Sequence, residues 1–199
     1  MKITLHDGPL AELETDALAW PLIDGPTLGE TLEQKINDLR DEGEVRGKPT
    51  ELTVLHEPTG LNARRLMLLG VGETLDEPRV FRMAAQAVRA ARCRGYKHLT
   101  VALSDGALTR AAVEGCVYGS YEPPEYKSDA KASSLKEVAV SAPDTDESAS
   151  EKGRITGEAV NLARELVDTP ANDLGPEEFA ERAAAAGRDA GLAVEVLDE

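Results

Sequence analysis

Arg65-Leu-Met-Leu-Leu-Gly-Val-Gly72 is the stretch that decides the fold. After Arg65 the run is apolar without alternation, so it reads as a strand buried on both faces. A helix follows. Pro78 to Cys93 places Val80, Met83, Ala84, Ala87, Val88 and Ala91 inward, and Arg79, Arg82, Arg89 and Arg92 mainly outward. Gly95 closes that helix, and His98 to Leu103 reads as the next strand.

The pattern extends both ways. Upstream, Lys2 to His6 and Asp16 to Trp20 read as strands, the second ended by Pro21. Asp24-Gly25-Pro26 turns the chain into a helix marked by Leu28, Leu32, Ile36 and Leu39, which ends near Gly43. Gly47-Lys48-Pro49 is a loop, Glu51 to Leu55 alternates as a strand, and Glu57-Pro58-Thr59-Gly60 breaks it. Downstream, Ser104-Asp105-Gly106 can cap a helix carrying Leu108, Ala111, Ala112, Gly115, Cys116 and Gly119. Side chains that small let another element come close. Tyr118 to Ser134 reads as a polar loop with Pro123-Pro124, and Leu135 to Val140 as the last strand. Strands and helices thus alternate from Lys2 to Val140 without an internal repeat. That order implies an α/β sandwich around a mixed, largely parallel sheet.

The remainder has a different character. Ser141 to Glu151 is acidic, small and without large apolar residues, so it reads as a linker. Ile155, Ala159, Leu162 and Leu166 then share one helical face, widened by Val160, Ala163 and Val167. A stripe that broad predicts a helix covered from more than one side. Pro170 stops it, Ala171-Asn172-Asp173 turns, and Pro176 opens a second helix with Glu177 and Glu178 at its positive end. That helix runs to about Asp189, Gly191 can end it, and Leu192 to Leu197 is a strand candidate. One helix and one strand cannot enclose a core. The expected division is 1–150 as an α/β domain, 151–170 as an interdomain helix, and 171–199 as the opening of an incomplete second domain.

Composition narrows the function. The chain has 199 residues, 41% of them hydrophobic, so it can bury a core of Leu, Val and Ala. Its net charge of −15 opposes binding to nucleic acid or to an anionic membrane surface. No apolar run reaches the roughly 18 residues of a membrane span. Met1-Lys-Ile-Thr-Leu-His-Asp7 is too polar for a signal peptide, and two cysteines make no disulfide framework. A soluble cytoplasmic protein is the expectation.

Candidate chemistry is sparse. Gly70-x-Gly72 after a buried strand could cradle a phosphate, yet Leu75 stands where a third glycine belongs, and Glu73 and Asp76 would repel an anion. The glycines therefore read as a structural turn. His6, His56 and His98 lack metal-ligand spacing. Cys93 and Cys116 sit on helices among apolar neighbours and read as buried small hydrophobes. No Gly-x-Ser-x-Gly elbow occurs. No catalytic, metal or cofactor-binding residue is assigned to this chain.

Glu158-Ala-Val-Asn-Leu-Ala-Arg-Glu-Leu-Val-Asp-Thr-Pro-Ala-Asn-Asp-Leu-Gly-Pro-Glu-Glu-Phe-Ala-Glu181 closely resembles the interdomain segment of the leucyl (cytosol) aminopeptidases, which typically show Asn-Thr-Pro-x-Asn and then a helix opened by Thr-Pro. Asp168 and Gly175 depart from that pattern. Gly47-Lys48 before a strand, Arg65 to Gly72, and Glu114-Gly115 through Tyr121, Tyr126 and Lys127 also resemble the family. The resemblance implies a two-domain exopeptidase whose N-terminal domain is a three-layer sandwich similar to macro domains. Its C-terminal domain would hold two divalent metals, zinc or manganese, through Asp, Glu and Lys. Those ligands lie beyond the Pro176-Glu-Glu-Phe179 helix, so none is carried over. The implied partners are peptide substrates and, for the full-length enzyme, a homohexamer. This chain alone is then expected to be inactive, with a structural and oligomerisation role. The alternatives are a free-standing macro-like module binding a nucleotide-like ligand and, least favoured by the charge, a DNA-binding regulator.

Overall fold

The computed structural model describes residues 1–123 and 133–197. Tyr126, Lys127 and the second proline of Pro123-Pro124 lie outside the described residues. Among the described residues, six strands form one sheet: β1 (Lys2–His6), β2 (Ala17–Pro21), β3 (Leu52–His56), β4 (Arg65–Leu69), β5 (His98–Ala102) and β6 (Glu137–Ser141). Their spatial order is β1-β6-β5-β2-β4-β3. All neighbours are parallel except β3, which runs antiparallel to β4 at one edge. The mixed, largely parallel α/β sheet expected from the sequence is the observed one.

The doubly buried reading of β4 has a clear physical basis. Leu66 and Leu68 point to one face, where they join Leu18, Trp20, Leu32 and Ile36. Leu32 and Ile36 come from α1 (Glu30–Asp41). Met67 and Leu69 point to the other face, against Val80, Met83 and Val88 of α2 (Glu77–Cys93) and Ala112 and Cys116 of α3 (Thr109–Gly119). Alternate residues of one strand therefore feed two cores. Asp76 caps α2 by accepting from the Arg79 backbone N–H at 2.9 Å. Asp105 caps a 3-10 turn, Gly106–Leu108, that leads into α3.

α3 lies against α2 at very short range. A Cβ on Gly115 would come within 2.3 Å of the Phe81 carbonyl oxygen, so the small residues of this helix are a packing requirement. α3 runs to Gly119, as the helix reading has it, and so takes in Tyr118, with which the loop reading begins.

Three other expectations are corrected. Ser141 to Glu151 is not a linker: Ser141 ends β6, and α4 (Glu147–Asp168) begins inside the acidic stretch. Asp146 caps it, accepting from the Ser148 N–H at 2.9 Å, and its acidic residues suit the positive end of the helix dipole. The same composition that disfavours a core thus favours a helix start. Second, Leu192–Leu197 forms no strand, because no described strand pairs with it. Third, Cys93 is exposed at the end of α2, whereas Cys116 is buried as expected. α5 (Pro176–Asp189) follows a turn in which the Asp173 and Leu174 N–H groups donate to the Pro170 carbonyl. Gly175 precedes it without a side-chain cap. Among the described residues, no helix is long and apolar enough to cross a membrane.

Candidate interdomain surface

Ligands of open α/β sheets usually bind outside the carboxyl ends of the parallel strands. In this chain that crevice is filled from within at β4. The Gly70 N–H donates to the Glu51 carbonyl at 2.9 Å, and the Gly72 N–H to the Gly47 carbonyl at 3.0 Å. A Cβ on Gly70 would sit 2.0 Å from the Lys48 carbonyl oxygen, so only glycine admits the 47–51 loop here. The loop carries its own anion as well. The Glu51 carboxylate accepts from the Arg46 and Lys48 backbone N–H groups. The amides that could have cradled a phosphate are spent on backbone carbonyls, which supports the structural-turn reading of Gly70-x-Gly72.

The histidines stay apart. His6 Nδ1 accepts from the Gly8 N–H at 3.1 Å. His56 ends β3 at the opposite edge of the sheet from β1. His98 Nδ1 lies 3.8 Å from Asp16 Oδ2, an oxygen that already accepts from the Lys97 and His98 N–H groups at 2.8 and 3.1 Å. Burial works against the Asp16 carboxylate, but those two N–H bonds together with the His98 and Arg64 charges hold its pKa below the ordinary value. Among the described residues, no group of three or more His, Cys, Asp or Glu could hold a metal. These residues do not fit the two-metal centre that the resemblance implies. Burial pushes the Cys116 thiol up to about 12, which leaves it a core hydrophobe.

The unusual surface is on α4. The first half of its contact with α3 is made by Gly153 and Gly157, the two residues it buries. A Cβ on Gly153 would fall 2.4 Å from the Arg110 carbonyl oxygen, and one on Gly157 2.7 Å from Val117 Cβ. The apolar stripe expected to be covered is instead open. Ile155 is 54% exposed and Val167 83%, with Val160 and Leu162 exposed beside them. The reason is the close approach: only the glycine face lets the helix axes come near, so the branched side chains turn outward. Phe179 on α5 and Leu192, Val196 and Leu197 after it are exposed too. This concentration is more apolar surface than isolated exposed residues explain, and such faces mark interaction sites. The groove between β1 and α4 is different. It is lined by Met1, Ile3 and the carboxylates Glu151 and Glu158, both already paired with Arg154.

Sequence reasoning found the turn after Pro170 and the second helix but missed the glycine contact. The signal was present as Gly153 and Gly157 at i, i+4, the spacing of a helix contact face.

Comparison with known proteins agrees with this architecture. The sequence profile described as "Cytosol aminopeptidase family, N-terminal domain" matches residues 16–130. A probable cytosol aminopeptidase of Solibacter usitatus is 37% identical over 206 residues, covering 100% of this chain and 42% of that protein. One from Acidobacterium capsulatum is 32% identical, covering 98% and 45%. Among solved structures, a mutant tomato leucine aminopeptidase shares the fold, with a TM-score of 0.74 at 24% identity over 96% of this chain and 43% of that one. A bottromycin maturation enzyme in complex with Mn gives 0.68 at 28% identity, over 89% and 37%. The chain spans less than half the length of these relatives. It belongs to the cytosol aminopeptidase family, of which it carries the N-terminal domain.

Proposed function

We propose that this chain is the N-terminal part of a metal-dependent cytoplasmic aminopeptidase that releases amino acids from the N-termini of peptides. The observation that carries the reading is the open apolar face of α4 and α5, at the end of a chain that matches only 42% of a curated relative. On this reading α4 joins two domains, residues 171–199 open the catalytic one, and that domain covers the exposed apolar side chains. The catalytic domain would hold two divalent metals, zinc or manganese, and supply the chemistry. The residues described in this chain hold no such site, so no reaction step is assigned to them. Their proposed role is structural: they support the catalytic domain and a homohexamer in the full-length protein, and the chain alone is inactive.

The test is to compare the 199-residue chain with the product of its gene read beyond Glu199, using leucine amide with Mn²⁺ or Zn²⁺. Activity confined to the longer product, with the longer product sedimenting as a hexamer, is the expected result. Leucine release by the 199-residue chain would overturn the inactive role, and a stop codon directly after Glu199 would overturn the two-domain reading.

A further inference from the structure

The attachment of α4 to α3 changes character along its length. The first half is held by the glycine contacts described above. Beyond Gly157 the half-buried positions of α4 are Asn161, Arg164 and Leu166, and the polar Asn161, Arg164 and exposed Asp168 are spaced i, i+3 and i+7 on one face. Asn161 Nδ2 donates to the Val117 carbonyl at 2.8 Å. Arg164 Nη1 donates to the Tyr118 carbonyl at 3.0 Å and to Asn161 Oδ1 at 3.2 Å. The Arg164 guanidinium is stacked between two rings, 4.3 Å from the Tyr118 centroid and 4.0 Å from that of Tyr121. The Tyr121 hydroxyl donates to Asp168 Oδ2 at 2.8 Å, closing the arrangement one turn further on.

These partners are not arbitrary. Val117 and Tyr118 lie in the last turn of α3, where the dipole is negative, and their carbonyls accept from α4 in addition to the Ser120 and Tyr121 N–H groups at 3.2 and 3.4 Å. A second cation serves the same end from the opposite side. Arg92 of α2 donates to the Gly119 and Tyr121 carbonyls at 3.3 and 3.0 Å. Two helices each send an arginine to the C-terminus of α3, and the one from α4 is gripped by aromatic faces. A planar guanidinium fits this site because it stacks and donates at once, which an ammonium does not.

We propose that Arg164 is the pin of a latch that fixes the direction in which α4 carries the chain away from the first domain. Val160, Leu162 and Val167 of this half of α4 face solvent and Leu166 is only half-buried, so the latch supplies its orientation mainly through polar and cation–ring contacts. Such contacts are directional and separable. The C-terminal half of α4 can therefore leave α3 while the glycine-packed half remains in place. That the latch aims a catalytic domain rests on the reading given above; the latch itself does not.

The test is amide hydrogen exchange on the 199-residue chain, which reports local opening segment by segment. Arg164→Ala is expected to speed exchange of the amides at 161–169 about tenfold, the loss of stacking and a charged hydrogen bond. Amides at 150–157 should keep the parent rate. Arg164→Lys should recover only part of the protection. Tyr121→Phe, which keeps the ring but frees Asp168, should have a smaller effect than Arg164→Ala. Uniform acceleration along all of α4, no acceleration at 161–169, or full rescue by lysine would each overturn the proposal. If Arg164→Ala does not fold, Tyr121→Leu removes one ring face and must give the same localised pattern. A missing catalytic domain would leave these outcomes unchanged, so the two readings fail separately.

Discussion

Helices α2 and α4 both carry an apolar stripe, and their fates are opposite. α2 buries Val80, Met83, Ala84, Ala85, Ala87, Val88 and Ala91 within 17 residues. α4 buries only Gly153 and Gly157 within 22. The stripe of α2 lies on the sheet. That of α4 cannot, because α3 already occupies that face and α4 packs behind it through its glycines. Hydrophobic periodicity thus identifies a helix, but the layer in which the helix sits decides whether its apolar face is core or open surface.

Four variants sharpen or break this contrast, in order of falling effect. Leu68→Ala removes a fully buried side chain between β4 and α1 and should cost about 2–5 kcal/mol in chemical denaturation. Gly153→Val forces a side chain against the Arg110 carbonyl and should cost about 1–3 kcal/mol. Its loss should appear as faster hydrogen exchange along α4 while β4 and α2 keep their protection. An equal loss in β4 would show that α4 belongs to the core cooperative unit.

Asp16→Asn probes the stitch between the starts of β2 and β5. Because the folded carboxyl lies below its ordinary value of 3.8, the unfolded chain protonates first as pH falls. The stabilisation is complete above the ordinary value and is lost as pH falls through the lowered folded one. The variant should be less stable at neutral pH and show a flatter acid limb, as measured by thermal melts from pH 2 to 6 (roughly the window around that carboxylate range). An unchanged acid limb would assign the acid sensitivity elsewhere. Smallest of all, Val167→Ser should leave the stability of this chain within about 0.5 kcal/mol, since the side chain is 83% exposed. A loss comparable to that of Leu68→Ala would mean the α4 face is covered in this chain as well.

The sheet was legible in advance because its signals are local and strong. Arg65 to Leu69 coincides with β4, and Lys2 to His6 with β1. The start of α4 was misread because an acidic, small-residue stretch is equally suited to a linker and to a capped helix start. Leu192 to Leu197 has a strand's composition, but composition cannot provide the hydrogen-bonding neighbour that makes a strand. Cys93 was misplaced because it is the last residue of α2 and is exposed there. The family resemblance at 158–181 was readable as a pattern; the orientation of that segment was not.

By itself the sequence determined the alternation of strands and helices, the largely parallel sheet, the turn at Pro170 and the family to which the chain belongs. Each follows from periodicity, proline chemistry or a specific run of residues, which act over a few positions. Only the tertiary structure decided that the Gly70 and Gly72 amides bind the 47–51 loop rather than leave room for an anion. It alone brought Arg164 between Tyr118 and Tyr121, more than 40 residues away in sequence. Those outcomes depend on which surfaces meet at distances of a few ångströms. Packing fixes such meetings, and no local pattern encodes them.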